Sequence, residues 1–175
     1  MRLAGWAAAL AFLLDQASKL WVLHGLNLIE RLAIDVVPPF LNLRMAWNRG
    51  INFGLFAGEA EGMRWLLVAL ALGISAFVWL WVRRMPPRRG VQLSAGLLIG
   101  GALGNALDRV VYGAVADFLN MSCCGWRNPW AFNIADVAIF AGAIGLFLLV
   151  GRGAPGDGDA GDGDAGGTGE PGKTP

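Results

Sequence analysis

Two aspartates stand out as groups that could do chemistry. Asp117 lies just past the end of one long apolar segment, and Asp136 lies at the start of the next. A carboxylate in hydrocarbon costs at least about 2.5 kcal/mol at a helix centre, so it needs a partner or a job. No basic residue nearby in the sequence is an obvious partner for both. Two carboxylates sharing a site cannot both ionise easily, and one then holds a proton. Such a pair supplies a general base and a general acid together. The base can activate water against a peptide carbonyl. The protonated partner can polarise the carbonyl oxygen and help to protonate the leaving amine. Rival catalytic sets are poorly supplied. His24 is the single histidine, and no GxSxG, HExxH or Ser–Lys pattern occurs. Cys123 and Cys124 are adjacent, without metal-ligand spacing, and read as ordinary loop residues. Neither a metal nor a cofactor is expected.

The elements that must position these groups read as membrane spans. The chain has 175 residues, 55% hydrophobic and only 15% charged, with mean hydropathy +0.51. Soluble domains carry about 25% charged residues. The charges are also segregated, which leaves long apolar runs. Four spans are expected, at about 3–23, 63–82, 91–111 and 133–150, each near the 20 or so residues that cross about 30 Å of hydrocarbon. The first is read as a retained helix and not as a cleaved leader, because only Arg2 precedes it and it runs on past Asp15. Arg83, Arg84, Arg88 and Arg89 lie between spans two and three, so that loop and both termini are read as cytoplasmic. Residues 24–62 and 113–131 then form outer loops. Alternation of Leu41, Leu43, Met45 and Trp47 with Asn42, Arg44 and Ala46 predicts a short strand in the first of them. The fold class is an all-α membrane protein of four transmembrane helices with a small β-containing extracytoplasmic cradle. Residues 1–150 form one membrane-embedded domain. Residues 151–175 carry net charge −3 and no large apolar residue, and read as a disordered Gly/Asp-rich tail. No basic patch interleaved with aromatics suggests a nucleic-acid partner.

Further polar residues sit within the spans. Asp15 and Lys19 are one turn apart on one helix face. They either neutralise each other, with Lys19 reaching for the interface, or support a polar site from behind. Gly96, Gly100 and Gly104 recur at every fourth position and allow close helix approach. Asn105, Asp108 and Arg109 follow toward the outer end of the same helix, where Asp108 reads as structural, answered by Arg109 and Asn105. Asn133 and Asp136 share the first turn of the last span, where a helix N-terminus favours a carboxylate.

Five blocks, DQASK (15–19), NRGINFG (48–54), GNALDR (104–109), VADF (115–118) and FNIAD (132–136), resemble the ordered motifs of the lipoprotein signal peptidases, or signal peptidase II. The resemblance covers residues 1 to about 150. It implies a bacterial inner-membrane aspartyl endopeptidase with its active site near the periplasmic face. Such enzymes cut signal peptides from prolipoproteins just before a diacylglyceryl-modified cysteine. Asp117 and Asp136 match the catalytic pair, Asp15, Lys19, Asn48, Asn105, Arg109 and Asn133 match the supporting polar positions, and Gly50 and Asp108 are expected beside them as substrate-binding or supporting residues. Partners are then lipid-modified prolipoproteins and membrane lipids, with the enzyme read as a monomer. Ile51 and Asn52 depart mildly from the family pattern. The competing reading is a small transporter or channel that relays ions through Asp15, Lys19, Asp108 and Arg109.

Overall fold

A computed structural model describes residues 1–50, 60–126 and 128–151. Ile51, Asn52 and the Gly/Asp-rich tail beyond Gly151 lie outside the described residues. Helix α1 (Arg2–Leu20) continues through a π-helical turn (Trp21–Gly25) into the short α2 (Leu28–Arg31). Strands β1 (Ala33–Val37) and β2 (Leu41–Asn48) follow, then α3 (Ala60–Arg83), α4 (Arg89–Tyr112), β3 (Val115–Asn120) and α5 (Ile134–Gly151). The four long helices fall where the apolar segments predict them, within a few residues at each end.

Helix α4 is the post on which α1, α3 and α5 all pack. Its glycines make this possible by letting backbones meet. A methyl group at Gly100 would collide with the Ala8 carbonyl oxygen on α1, and one at Gly101 would lie 2.5 Å from the Ala135 carbonyl oxygen on α5. The small-residue row thus serves two neighbours on adjacent sides of one helix. α4 stops at Gly113, whose φ of +77° and N–H to the Arg109 carbonyl oxygen form a left-handed cap.

Polarity is inverted relative to a soluble bundle. Phe147 is 79% exposed and Trp6 75%, whereas Asp15, Lys19, Asp108, Asn105 and Asn133 are buried. Apolar side chains outside and charges inside suit a lipid solvent. Helices α3 and α4 are each long and apolar enough to cross a membrane, and α5 supplies a shorter apolar stretch.

The cradle is a three-stranded antiparallel sheet in the order β1-β2-β3. The sequence pattern predicts only β2. β1 is short and mostly exposed, so its residues carry little alternation to read. β3 is nearly all buried, so VADFLN likewise lacks a period of two. Asp117, expected in a loop, is therefore on a strand, opposite Ala46 of β2. A register shift between Leu43 and Ala46 bends β2. Leu23, Leu28, Leu43 and Phe118 pack together as the core of this region. On its other edge β3 is tied to the chain entering α5, through Leu119 N–H to Phe132 O at 2.8 Å and Phe132 N–H to Leu119 O at 3.0 Å. That tie sets Asn133 beside Asp117.

Gly100→Leu is expected to lower the thermal midpoint in detergent, by the equivalent of about 1–3 kcal/mol or more. Truncating α1 side chains should not rescue it, because the obstacle is backbone. Gly5→Leu, with open space around its Cα, should leave the midpoint unchanged.

Candidate active site

Helix α5 begins with a reciprocal cap. The Asp136 N–H donates to Asn133 Oδ1 at 2.9 Å, and the Asn133 N–H donates to Asp136 Oδ2 at 3.2 Å. This is the capping-box arrangement, built from Asn and Asp in place of the usual Ser/Thr and Glu. It satisfies two otherwise orphaned donors and holds the Asp136 carboxylate over the first turn. The other Asp136 oxygen, Oδ1, accepts from Asn105 Nδ2 at 2.9 Å.

Asn133 also reaches the second aspartate. Its Nδ2 donates to Asp117 Oδ1 at 2.6 Å and stands 3.3 Å from the Ala116 carbonyl oxygen. Asn48, at the end of β2, donates to Asp117 Oδ2 at 3.1 Å. Asn48 is itself held by the Gly50 N–H on its Oδ1 at 3.0 Å, at a residue with φ +96°. Asp117 is only 3% exposed, whereas Asp136 is partly exposed. Burial first, and then the neighbouring Asp136 charge, push the Asp117 carboxyl up to about 6. The amide donors Asn48 and Asn133 pull the other way and lose.

Behind the pair lies a buried ion cluster. Lys19 Nζ lies 2.7 Å from Asp15 Oδ2 and 2.7 Å from Asp108 Oδ2. It also donates to Asn105 Oδ1 at 3.3 Å. Gln16 Nε2 joins both carboxylates, at 3.1 Å from Asp15 Oδ2 and 3.1 Å from Asp108 Oδ1. Both carboxylates also accept backbone donors, the Ala135 N–H on the free Asp15 Oδ1 at 2.9 Å and the Ala116 N–H on Asp108 Oδ2, beside Lys19, at 3.2 Å. Asp15 thus fixes the first turn of α5, and Asp108 fixes the residue before Asp117. Asn105 hydrogen-bonds Lys19, Asn133 and Asp136 and so joins this cluster to the pair.

Asp15, Lys19, Asn48, Gly50, Asn105, Asp108, Asn133, Asp117 and Asp136 therefore belong to one hydrogen-bonded network. Of the alternatives for Asp15 and Lys19, the pair supports the site from behind, and Lys19 does not reach for the interface. The expected Asp108–Arg109 pair is corrected. Adjacent helix residues point about 100° apart, and Asp108 turns inward to Lys19, Gln16 and the Ala116 N–H. Arg109 sends Nη1 to the Asn105 carbonyl oxygen at 3.1 Å, with Asp117, Asp108 and Asp136 within electrostatic reach. Gln16 and Gly104 were not singled out as site residues from sequence. Gln16 falls outside the i, i+4 stripe of Asp15 and Lys19, and its polarity within an apolar run was the available signal. A Cβ at Gly104 would lie 2.6 Å from Asp15 Oδ2, so this glycine makes room for a carboxylate as well as for a helix.

A bundle that turns apolar side chains outward, and gathers buried carboxylates beside a sheet at one end, has the architecture of a membrane protein with an internal polar site. Two solved bacterial membrane enzymes studied by the in meso method share the fold. One has TM-score 0.69 at 23% identity, covering 93% of this chain and 94% of the other. The second has TM-score 0.67 at 25% identity, covering 84% and 91%. Residues 7–151 match the family model of signal peptidase (SPase) II. The lipoprotein signal peptidase of Methylorubrum extorquens is 45% identical over 157 residues, covering 87% of this chain and 88% of the relative. That of Methylobacterium radiotolerans is 46% identical over 146 residues, covering 81% of each. The chain belongs to the signal peptidase II family of lipoprotein-processing membrane proteases.

Lys19→Met would leave Asp15 and Asp108 buried without their shared cation. The expected loss is about 3–5 kcal/mol of stability, read as denaturant or thermal unfolding in detergent. Adding Asp108→Asn to Lys19→Met should recover part of it. Equal stability of Lys19→Met and the unaltered chain would refute the ion cluster.

Proposed function

We propose that this chain is an aspartic endopeptidase that removes signal peptides from diacylglyceryl-modified prolipoproteins, cutting before the lipid-modified cysteine, with Asp117 and Asp136 as its catalytic pair. The observation that carries the reading is that one residue, Asn133, holds both carboxylates, Asp117 through its side-chain amide and Asp136 through its backbone N–H. The raised carboxyl of Asp117 supports its role as the partner that holds the proton. Asp136, the more accessible of the two, takes a proton from water as that water attacks the scissile carbonyl. Asp117 donates its proton to the carbonyl oxygen, giving a tetrahedral diol. Collapse of the diol returns a proton to Asp117 and passes the proton on Asp136 to the departing amine. Each carboxyl ends as it began. Arg109 adds a positive charge beside the pair and offsets part of the negative charge gathered there. Asp15, Lys19, Asn105 and Asp108 act as positioning residues through Asn133 and the backbone of Ala116 and Ala135.

The proposed placement is the bacterial inner membrane, with α1, α3, α4 and α5 as four spans and both termini cytoplasmic. The basic loop between α3 and α4 supports this orientation, and the sheet follows the opposite end of α4. The scissile bond of a lipid-anchored cysteine would lie at that outer boundary. In this reading the enzyme acts as a monomer. An ion-relay function for Asp15, Lys19, Asp108 and Arg109 is less well supported. A relay needs polar groups along the depth of a bundle, and here they are tied to one another around one end of α4.

Asp117→Asn and Asp136→Asn, made separately, should each reduce cleavage of a lipid-modified precursor in proteoliposomes by about 10²–10⁴-fold, with the protein still folded. Near-normal turnover by either variant would sink the assignment. The pair also predicts a pH dependence. The proton on Asp117 is present below about pH 6 and is lost above it. Thus kcat/KM should fall about tenfold per pH unit beyond that point. Asn48→Ala removes a donor that favours the ionised form, so Asp117 should keep its proton to higher pH and the falling limb should move upward. A limb that stays put, or moves down, contradicts Asp117 as the acid.

A further inference from the structure

A second site lies in the cradle, apart from the aspartate network. A cavity of about 550 Å³ opens between β2, the end of β3 and the loop before α5, within the size range of ligand pockets, roughly 300–1,000 Å³. Asn42 and Asn120 line it, and both are only 7% exposed. Asn120 is fully engaged, donating to the Asn128 and Trp130 carbonyl oxygens at 2.8 Å each and accepting from Ser122 Oγ at 3.3 Å. Asn42 is not. Its Nδ2 donates to the Pro39 carbonyl oxygen at 3.1 Å, but its Oδ1 is buried and has no partner among the described residues. A buried acceptor left unpaired is costly, of order 1–3 kcal/mol, and this one belongs to a residue that lines the cavity.

The chemistry of the cavity selects its occupant. Among the described residues its charged lining side chains, Asp35 and Arg44, are ion-paired to each other, so neither is a free charge set aside for an ionic ligand. Proline, alanine and methionine faces alternate with amides and a hydroxyl. That mixture fits a polypeptide backbone, whose N–H can meet Asn42 Oδ1. The cavity also adjoins the candidate active site. Ala46 lines it, and Ala46 is the cross-strand partner of Asp117, so the two positions lie about 5 Å apart along the sheet.

We propose that this cavity is a subsite for the extended polypeptide that follows the cleaved bond of the substrate, with Asn42 Oδ1 accepting a backbone N–H from it. An extended chain advances about 3.3 Å per residue, so the cavity takes roughly the second to fifth residues beyond the lipid-modified cysteine. The proposal rests on the peptidase reading above. It adds a preference for small, uncharged residues in that stretch to recognition of the lipid and the signal helix.

The test compares two lipid-modified precursors in proteoliposomes. One ends at the modified cysteine as an amide, and the other continues for six small uncharged residues. The intact chain should cut the longer precursor with kcat/KM about tenfold higher. In Asn42→Ala, and in Ala131→Trp, which fills the cavity from the loop, this advantage should fall to within about twofold of unity. A ratio near one in the intact chain, or an undiminished ratio in both variants, overturns the subsite. A second measurement does not require turnover. The longer precursor, with a photoreactive group on its third residue after the cysteine, is illuminated with the Asp136→Asn chain, and the adduct is mapped. Attachment to the segments carrying Asn42 or Asn128 supports the subsite, and attachment elsewhere overturns it. If neither precursor is cut by the intact chain but the adduct maps to Asn42, the peptidase reading fails while the peptide site stands.

Discussion

The rest of the site depends on the position of one ammonium group. Lys19 Nζ sits between two carboxylates, one on its own helix and one on α4. Taking any of these charges out of water alone costs several kcal/mol. Together, with Gln16 and two backbone N–H groups filling the remaining acceptor positions, they satisfy one another. The backbone donors come from Ala135 on the first turn of α5 and Ala116 on β3. Each lies next to an aspartate of the candidate pair. A buried ion pair is weak evidence for net stability. It is stronger evidence for uniqueness, because a helix that slid or rotated would strand a charge. The cluster therefore sets the relative register of α1, α4, α5 and β3 at the point where two carboxylates must face each other.

Close helix contact makes this register attainable. α4 meets α1 and α5 through glycines that bring backbone against backbone. With larger residues there, the interaxial distance would grow and the 2.7 Å contacts of Lys19 could not form on both sides. The same logic ends at Gly104, where the missing side chain is replaced by the Asp15 carboxylate. Packing and electrostatics are thus coupled along one helix: small residues in the first half of α4 allow the approach that the polar residues in its second half require.

Much of this was legible in the sequence, through signals that depend on local spacing. The four apolar runs predicted the four long helices, because a span is a property of consecutive residues. Asn133 and Asp136, three apart at the head of an apolar run, placed both on one first turn. The period of two in residues 41–47 predicted β2. What could not be read depended on contacts between segments distant in sequence. Asp108 is answered by Lys19, 89 positions away, whereas sequence offered its neighbour Arg109. β3 is buried at all but Leu119, so it lacks the alternation that marks a half-buried strand, and Asp117 reads as a loop residue. Gln16 turns toward α4 only once the helices are packed. The reciprocal cap between Asn133 and Asp136 was visible in principle as an N-cap residue with an acid three positions on. Its significance depended on the second reach of Asn133 across to Asp117.

The balance at Asp117 shows why such a site needs a scaffold. Two amide donors, Asn48 and Asn133, favour its ionised form. Burial and the charge of Asp136 oppose them and prevail, raising the carboxyl from 3.8 to about 6. The net difference between the two protonation states is about 3 kcal/mol, a residue of larger opposing terms. Moving Asp136 away would weaken the repulsion, and admitting water would weaken the burial effect. Either change would shift the balance toward the ionised form that the amides favour. Keeping it requires the two aspartates close, dry on one side, and fixed against each other, on a strand at one end and a capped helix turn at the other. Asn133 contacts both, and Asn105 ties Asn133 to Lys19. The protonation balance of Asp117 is thus tied, through Asn133 and Asn105, to the buried charge cluster around Lys19.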